Sequence, residues 1–212
     1  MNDTPEPTSG PTSESTPGPV PEPELSRGLE LETDPALAAA VLEIESHVAS
    51  EGWDGPARLF ALVDTAALVK AEPALASMMG LDSPDQEGSL TPVEQDQVPV
   101  TTQLEEVLQT TAWPAEVAGC AAVVERLVLP PDADGKIPED AAEAAEFAKS
   151  HPDRQEVRIV AGATRAGATY CALRLKAHDD DQSVIGGVDL VPELLELLRV
   201  TLEDNPDNEG DA

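Results

Sequence analysis

The side chains that could act as nucleophiles or metal ligands lie far apart in this sequence of 212 residues. Cys120 and Cys171 sit inside apolar runs and lack the CxxC spacing of a metal or redox site. The histidines also lack a spacing that places two metal ligands on one helical face; they are His47, His151 and His178. The sequence therefore predicts two buried cysteines and no metal centre.

Motifs for nucleotide binding and for hydrolysis are missing as well. The sequence has no GxxxxGK[ST] loop, no GxGxxG after a strand and no GxSxG elbow. Asp64 could serve as a general base and Cys120 as a nucleophile, yet neither has a histidine, lysine or second carboxylate at a recognisable spacing. The acidic run 179–181 lacks the glycine and distal glutamate of an EF-hand loop and is typical of a solvated turn. We therefore predict no catalytic residues and no cofactor.

Basic residues cluster near the end of the sequence. Of the 12 lysines and arginines, five lie close together in an otherwise acidic chain; they are Arg154, Arg158, Arg165, Arg174 and Lys176. Charged and apolar residues alternate on both sides of Arg165-Ala166-Gly167, which predicts a β-hairpin with these three residues as its loop. This register places Arg158 opposite Arg174 and Glu156 opposite Lys176, on a face that we expect to meet solvent.

Arg158 and Arg174 repel each other as cross-strand neighbours, so other groups have to compensate them. One interpretation is internal: Glu156, or a carboxylate from another element such as Glu125, forms exposed ion pairs with them. The other is functional: Arg158, Arg174 and Lys176 form a strip that binds an anionic group of a partner, a role that suits the planar guanidinium. Both interpretations are open at this point.

Trp53 and Trp113 are the two tryptophans of a chain that is poor in aromatic residues. Each lies beside turn-forming residues, which are Asp54-Gly55-Pro56 and Pro114. They are either structural anchors or rim contacts of a binding groove. The second interpretation leads to an alternative function, a small-molecule-binding protein or an enzyme with a pocket near these loops.

The sequence pattern predicts one folded domain at residues 35–203, between disordered acidic tails at 1–34 and 204–212. An amphipathic helix begins after Asp34, another helix ends the domain, and strands are expected at 58–64, at 117–129 and in both arms of the hairpin. Residues 83–99 are expected to form a long loop, in which Thr91-Pro92-Val93-Glu94 has the spacing of a helix cap. The fold class is therefore α+β, with a mostly antiparallel sheet of about four strands and helices packed against it.

The charge balance limits the partners of the protein. Its formal net charge is −30, from 42 acidic and 12 basic residues, which repels nucleic-acid phosphates and anionic lipid headgroups. No stretch approaches the roughly 18 apolar residues that span a bilayer, and the first residues lack the pattern of a secretory signal. We therefore predict a cytoplasmic protein that does not bind nucleic acid and does not insert into a membrane, with another protein as the candidate partner. The sequence does not fix the oligomeric state.

Four segments of the sequence stand out together: GWDGPARLFALVDT at 52–65, LTPVEQD at 90–96, WPAEVAGCAAVVERLVLPP at 113–131 and HPDRQEVR at 151–158. They resemble a conserved, uncharacterised actinobacterial protein family. The resemblance covers residues 35–200 and implies no catalytic, metal or ligand residues. Because no catalytic constellation is visible either, we expect a non-enzymatic binding or adaptor domain.

Overall fold

The computed structural model describes residues 33–78, 80–81, 88–96, 98–99 and 101–203. The helices are α1 (Pro35–Ser50), α2 (Thr65–Ala71), α3 (Pro73–Met78), α4 (Leu104–Thr110), α5 (Ala141–Ser150) and α6 (Pro192–Thr201). The strands are β1 (Arg58–Asp64), β2 (Leu90–Glu94), β3 (Val117–Val128), β4 (Gln155–Thr164), β5 (Thr169–Leu175) and β6 (Ile185–Gly187). They form one antiparallel sheet in the order β2-β1-β3-β4-β5-β6. The predicted α+β class is confirmed.

Helices cover both faces of this sheet. On the face that we call the α1 face, the apolar stripe of α1 packs against Phe60 of β1 and Val160 of β4. On the opposite face, the α6 face, α4 and α6 pack around Cys120 and Ala122 of β3. The sheet therefore separates two apolar cores, and each core is built mainly from aliphatic side chains, as expected from a sequence with few aromatic residues.

The start of α1 follows directly from its sequence. Oδ1 of Asp34 accepts hydrogen bonds from the backbone N–H groups of Ala36 and Leu37, at 2.9 and 3.0 Å, and Pro35 opens the helix. The helix then lies close to the sheet at Gly162, where a Cβ atom would stand 2.7 Å from Cγ2 of Val41. Glycine in β4 thus sets how near α1 approaches.

The predicted hairpin is confirmed in its position and register. Arg158 pairs with Arg174 and Val157 with Leu175. The backbone N–H of Thr164 donates to the carbonyl of Ala168 at 2.9 Å, which leaves Arg165-Ala166-Gly167 as the loop. Gly167 has a φ of 89°, a left-handed conformation that glycine adopts without steric cost.

The sheet has six strands instead of about four, because two edge strands were not predicted. β2 occupies part of the segment expected to be a loop, so Thr91-Pro92-Val93-Glu94 is a strand and not a helix cap. β6 has only three residues and pairs with β5. Proline in β2 and two glycines in β6 lower the strand propensity of these segments, so the sequence pattern did not predict either edge strand.

The predicted acidic tails lie outside the described residues, apart from Thr33 and Asp34. In the described part of the chain, no helix combines the length and apolar character needed to cross a membrane.

Candidate functional site

Arg174 forms a buried ion pair beneath α1. Its Nε and Nη2 atoms donate to the two carboxylate oxygens of Glu45 at 2.6 and 2.8 Å. Nη2 also donates to Oδ1 of Asp181 at 2.8 Å, and Nη1 lies 3.5 Å from Oδ1 of Asp179. The hydrogen bonds to Glu45, followed by those to Asp181, raise the pKa of Arg174 above its usual value. The guanidinium is therefore charged at every accessible pH.

Arg158 lies beside Arg174 on the same face of the sheet. Its Nε and Nη2 atoms donate to Oε1 of Glu125 at 3.2 and 2.9 Å, and Nη2 also donates to the carbonyl of Gly52. Its guanidinium carbon lies 4.3 Å from the ring centroid of Trp53, within the range of a cation–π contact. Arg158 thus holds the loop that follows α1 against the sheet.

Lys176 and Trp53 complete this set of contacts on the solvent side. Nζ of Lys176 donates to Oε2 of Glu156 at 2.6 Å and to Oδ1 of Asp54 at 3.3 Å. The hydrogen bond to Glu156 is the main reason why the pKa of Lys176 is raised. Nε1 of Trp53 donates to Oδ2 of Asp179 at 2.9 Å, so the indole ring joins the loop after α1 to the segment after β5. We call Arg158, Arg174 and Lys176, together with Trp53 and the carboxylates that these side chains contact, the arginine network.

The expectation that Arg158 and Arg174 face solvent is wrong, because they are 0% and 2% exposed. The physical reason is that α1 supplies Glu45 above Arg174, and the loop after α1 places Trp53 over Arg158. Arg158 does pair with Glu125, which the internal interpretation named, but its guanidinium is buried and not exposed, and Glu156 pairs with Lys176 instead of with an arginine. Together the three cations contact six carboxylates, those of Glu45, Asp54, Glu125, Glu156, Asp179 and Asp181. The carboxylates outnumber the cations, so the network needs no external anion.

Binding of a partner's anionic group by Arg158, Arg174 and Lys176 stays a prediction. The atom with a hydrogen bond left to donate to such a group is Nη1 of Arg158, which is buried and has no hydrogen-bond partner in the described part of the chain. Lys176 is the member of the strip that reaches solvent, with 35% of its side chain exposed.

Arg165, in the hairpin loop, binds backbone carbonyls. Its guanidinium donates to the carbonyl of Val117 at 2.9 Å, to those of Trp113 and Pro114 at 2.9 and 3.0 Å, and to that of Leu202. These acceptors lie before and at the start of β3 and at the end of α6. Arg165 therefore connects the hairpin loop to the start of β3 and to the end of α6, and its side chain has a structural role.

Trp113 is a structural contact on the α6 face. Its Nε1 donates to Oγ1 of Thr201 at 3.0 Å, and the same hydroxyl lies 3.5 Å from Sγ of Cys120. Burial raises the pKa of Cys120 to about 11, so the thiol is protonated at neutral pH and is a poor nucleophile. Trp53 lies on the α1 face, and the structure therefore does not bring the two tryptophans to one groove.

The other residues that could do chemistry have structural contacts. Oδ1 of Asp64 accepts a hydrogen bond from the backbone N–H of Ala67 at 2.8 Å and so caps α2. Cys120 and Cys171 are both buried and free, as predicted for burial. Over the described ranges, no group of three or more His, Cys, Asp or Glu side chains could hold a metal ion.

An open cleft of about 450 Å³ lies on the α6 face, and sequence reasoning did not find it. Val124 and Ile159 of the sheet contribute to its lining, as do the start of α6 and the residues before it, which are Leu190, Val191, Pro192, Glu193, Leu194 and Leu197. Nη2 of Arg126 donates to Oε1 of Glu105 at 2.6 Å, and both residues line the cleft. Oε2 of Glu105 is shielded from solvent and has no hydrogen-bond partner among the described residues. We call this feature the α6 cleft.

A row of apolar side chains runs across the sheet from the α6 cleft to β6. Val124 pairs with Ile159, Ile159 with Leu173, and Leu173 with Ile185. Directly paired residues of antiparallel strands share one face of the sheet, so all four lie on the α6 face. Val124 is 5% exposed and Ile185 is 52% exposed, so the row ends in a solvent-facing aliphatic side chain. We call these four residues the apolar row.

The fold and these surfaces define a class of protein: an α+β domain with a six-stranded antiparallel sheet between helices and an open apolar cleft on one face. The chain belongs to the PPA1309-like protein family, whose family model matches residues 37–203. It matches no curated protein and no solved structure.

Proposed function

We propose that this protein is a non-enzymatic binding domain that recognises another protein through the α6 cleft. The observation that carries the proposal is the composition of the cleft, in which aliphatic side chains form most of the surface, and the ion pair of Arg126 with Glu105 and the carboxylate of Glu193 lie among them. Partly exposed aliphatic surface beside a polar contact is typical of the core and rim of a protein interface.

Glu105 adds a second reason. Oε2 of Glu105 has no hydrogen-bond partner among the described residues, and 40% of the side chain is exposed, so a partner's donor can reach it. A partner that brings an N–H group to Oε2 of Glu105 would therefore gain a hydrogen bond without having to break one. The carboxylate would then fix the orientation of a mainly apolar contact.

A small-molecule-binding protein or an enzyme is the rival function. The volume of the α6 cleft, about 450 Å³, lies within the range of ligand pockets. However, the tryptophans that suggested a pocket line neither the α6 cleft nor a smaller cleft of about 280 Å³ between α1 and β2. We favour the protein partner because the α6 cleft is open and continues into the apolar row.

Site-specific photocrosslinking tests the proposal. A benzophenone side chain placed at Leu194, inside the α6 cleft, is expected to form discrete protein adducts in native cells. The same side chain at Val200, an exposed position of α6 that is not part of the cleft, is expected to form none of them. Adducts that disappear when Leu197→Glu is added would place the partner in the cleft.

A thermal-shift screen against a metabolite library tests the rival. A ligand that binds only the folded protein raises its melting temperature by mass action. A compound that does so, with no adduct at Leu194, would replace the binding-domain proposal by the small-molecule one.

We further propose that the protein works in the cytoplasm of an actinobacterium and binds no nucleic acid. Two free cysteines support a reducing compartment such as the cytoplasm. The net charge of −30 supports the absence of nucleic-acid binding, because it repels phosphate groups. The sequence resemblance supports the actinobacterial source. Cell fractionation tests the location, and recovery in the envelope fraction would contradict it. A DNA-binding assay at low salt tests the second claim, and retention on DNA would contradict it.

A further inference from the structure

We propose that β6 accepts a basic, extended segment of a partner protein as an additional strand, with the partner's apolar side chains continuing the apolar row. The inference rests on the proposed function and names the partner's conformation and charge. It also extends the recognition surface from the α6 cleft to the edge of the sheet.

The two edges of the sheet differ in their ability to take another strand. In β2, Pro92 has no N–H group, and proline in an edge strand leaves that gap on the outward side. In β6 all three residues retain their N–H groups, and no strand in the described ranges pairs with its outer edge. β6 is therefore the edge that can extend the sheet.

The apolar row specifies what an added strand would carry. Ile185 ends the row at the edge, and Leu190 packs against β6 at Gly187, two residues further along the strand, where a Cβ atom would stand 3.0 Å from Cδ2 of Leu190. Leu190 also lines the α6 cleft, so the cleft and the edge share one exposed apolar surface. An apolar side chain opposite Ile185 would cover that surface, which favours a partner with apolar residues at alternate positions.

The other face of β6 carries an aromatic side chain. Tyr170 reaches across Gly186, because its hydroxyl oxygen lies 2.2 Å from the place that a Cβ atom would take. The phenol ring therefore lies over the edge strand, where it can contact a strand added to β6 with both its apolar face and its hydroxyl.

Charge decides which segment binds. Acidic, exposed residues lie shortly before and after β6 in the sequence; they are Asp180, Asp189 and Glu193, together with Asp181, whose carboxylate is paired with Arg174. Lys176, which lies shortly before them, is paired with Glu156 and Asp54. These carboxylates favour lysines and arginines on the added strand. They also oppose pairing of β6 with β6 of a second copy, which would bring the same carboxylates together.

The test uses a synthetic peptide of about eight residues, the length of an ordinary strand, in which lysine and valine alternate. Two matched peptides control for its charge and its hydrogen bonds. One replaces every lysine by glutamate, and the other keeps the sequence but carries N-methyl groups on alternate residues, which removes donors from one edge. Fluorescence anisotropy measures binding to the full chain, and amide chemical shifts locate the peptide.

Two protein variants separate strand addition from attraction to an acidic protein. Ile185→Lys places a charge on the edge, and Val200→Lys places the same charge on an aliphatic residue that is also 52% exposed but lies on α6. We expect Ile185→Lys to weaken binding of the lysine–valine peptide about tenfold or more, and Val200→Lys to change it less than about twofold. The N-methylated and glutamate peptides are expected not to bind, and the amide shifts are expected to centre on Ile185–Gly187.

Other results would overturn the inference. They are equal binding of the plain and N-methylated peptides, equal loss in both variants, no binding of the lysine–valine peptide, or a dimer of the free chain that Ile185→Lys dissolves. The crosslinking experiment distinguishes a failure of strand addition at β6 from a failure of partner binding in the α6 cleft. If Ile185→Lys keeps the adduct at Leu194 while Leu197→Glu removes it, the α6 cleft binds a partner without strand addition.

Discussion

At the scale of single residues, the ion pair between Arg174 and Glu45 places two charges where water does not reach, since their side chains are 2% and 3% exposed. Taking charges out of water is costly, and the pair is stable only while both partners are present. Its contribution is therefore seen best when one partner is removed.

We expect Arg174→Met to lower the free energy of unfolding by about 3–5 kcal/mol, because it leaves the carboxylate of Glu45 buried without its cation. The double variant Glu45→Leu/Arg174→Met is expected to lose less than Arg174→Met alone, since no lone charge remains. Urea unfolding of these proteins measures both effects. Arg126→Met, which removes a pair with about 40% of each side chain exposed, is the control and is expected to cost less than about 1 kcal/mol. Additive losses in the double variant would contradict this account.

Titration of Cys120 is expected to make the protein less stable as the pH rises into the alkaline range. Burial raises its pKa from 9.0 to about 11, so the folded state holds the proton more tightly than the unfolded state does. The resulting stability is fully present below pH 9.0 and is lost as the pH rises towards about 11. One pKa unit corresponds to about 1.4 kcal/mol, so the loss is about 3 kcal/mol at most.

Cys120→Ala removes this titration. We expect the free energy of unfolding of the variant to fall less steeply between about pH 9 and pH 11 than that of the wild type, although the variant is less stable at pH 7. Guanidinium unfolding at a series of pH values provides the comparison. Parallel curves for the two proteins would show that Cys120 does not titrate in this range.

At the scale of elements, Gly162 controls the packing of α1 on the sheet. A Cβ atom there would stand 2.7 Å from Cγ2 of Val41, so we expect Gly162→Ala to destabilise the protein by about 1–3 kcal/mol through overpacking. Val41→Ala in the same chain makes room and is expected to recover part of the loss. Gly135→Ala, which meets no atom within 4 Å, is the matched control and is expected to be nearly neutral. Thermal unfolding measures all three variants; equal effects of the two glycine substitutions would contradict the close approach of α1.

The hairpin could be predicted because its information is local. Alternation along both arms and a glycine at the last loop position fix which residues pair, and Arg158 lies opposite Arg174 as expected. β2 and β6 could not be predicted in the same way, because strand predictions depend on β propensity, which is low for Pro92 in β2 and for Gly186 and Gly187 in β6. Their pairing is imposed by the neighbouring strands.

Burial of the two arginines could not be predicted from the strands, since alternation shows that residues share a face but not what covers that face. One signal was present: Glu45 directly follows Ile44, within the apolar stripe of α1, and is buried with it. A carboxylate next to such a stripe indicates a buried cation nearby. The α6 cleft had no comparable signal, because its residues come from four elements that are distant in the sequence.

At the scale of the whole molecule, the net charge of −30 opposes the compact state through repulsion between like charges. Salt screens exposed charges more strongly than buried pairs, with a Debye length of about 10 Å at 0.1 M. We therefore expect the melting temperature to rise by several degrees between about 0.02 M and 0.5 M sodium chloride. Differential scanning calorimetry measures it, and potassium chloride is expected to give the same rise. A fall with salt would mean that surface ion pairs outweigh the repulsion.

The unequal edges of the sheet also determine the stoichiometry of any assembly made by strand addition. Growth into a fibre requires that each molecule offer two open edges, so that every addition leaves a new one. Among the described strands, β2 ends the sheet at a proline and β6 is the edge that can be extended, so a first added strand would close the sheet to the next. If β6 accepts a strand as proposed, we therefore expect one segment to bind one domain and the complex to stay finite as the concentration rises.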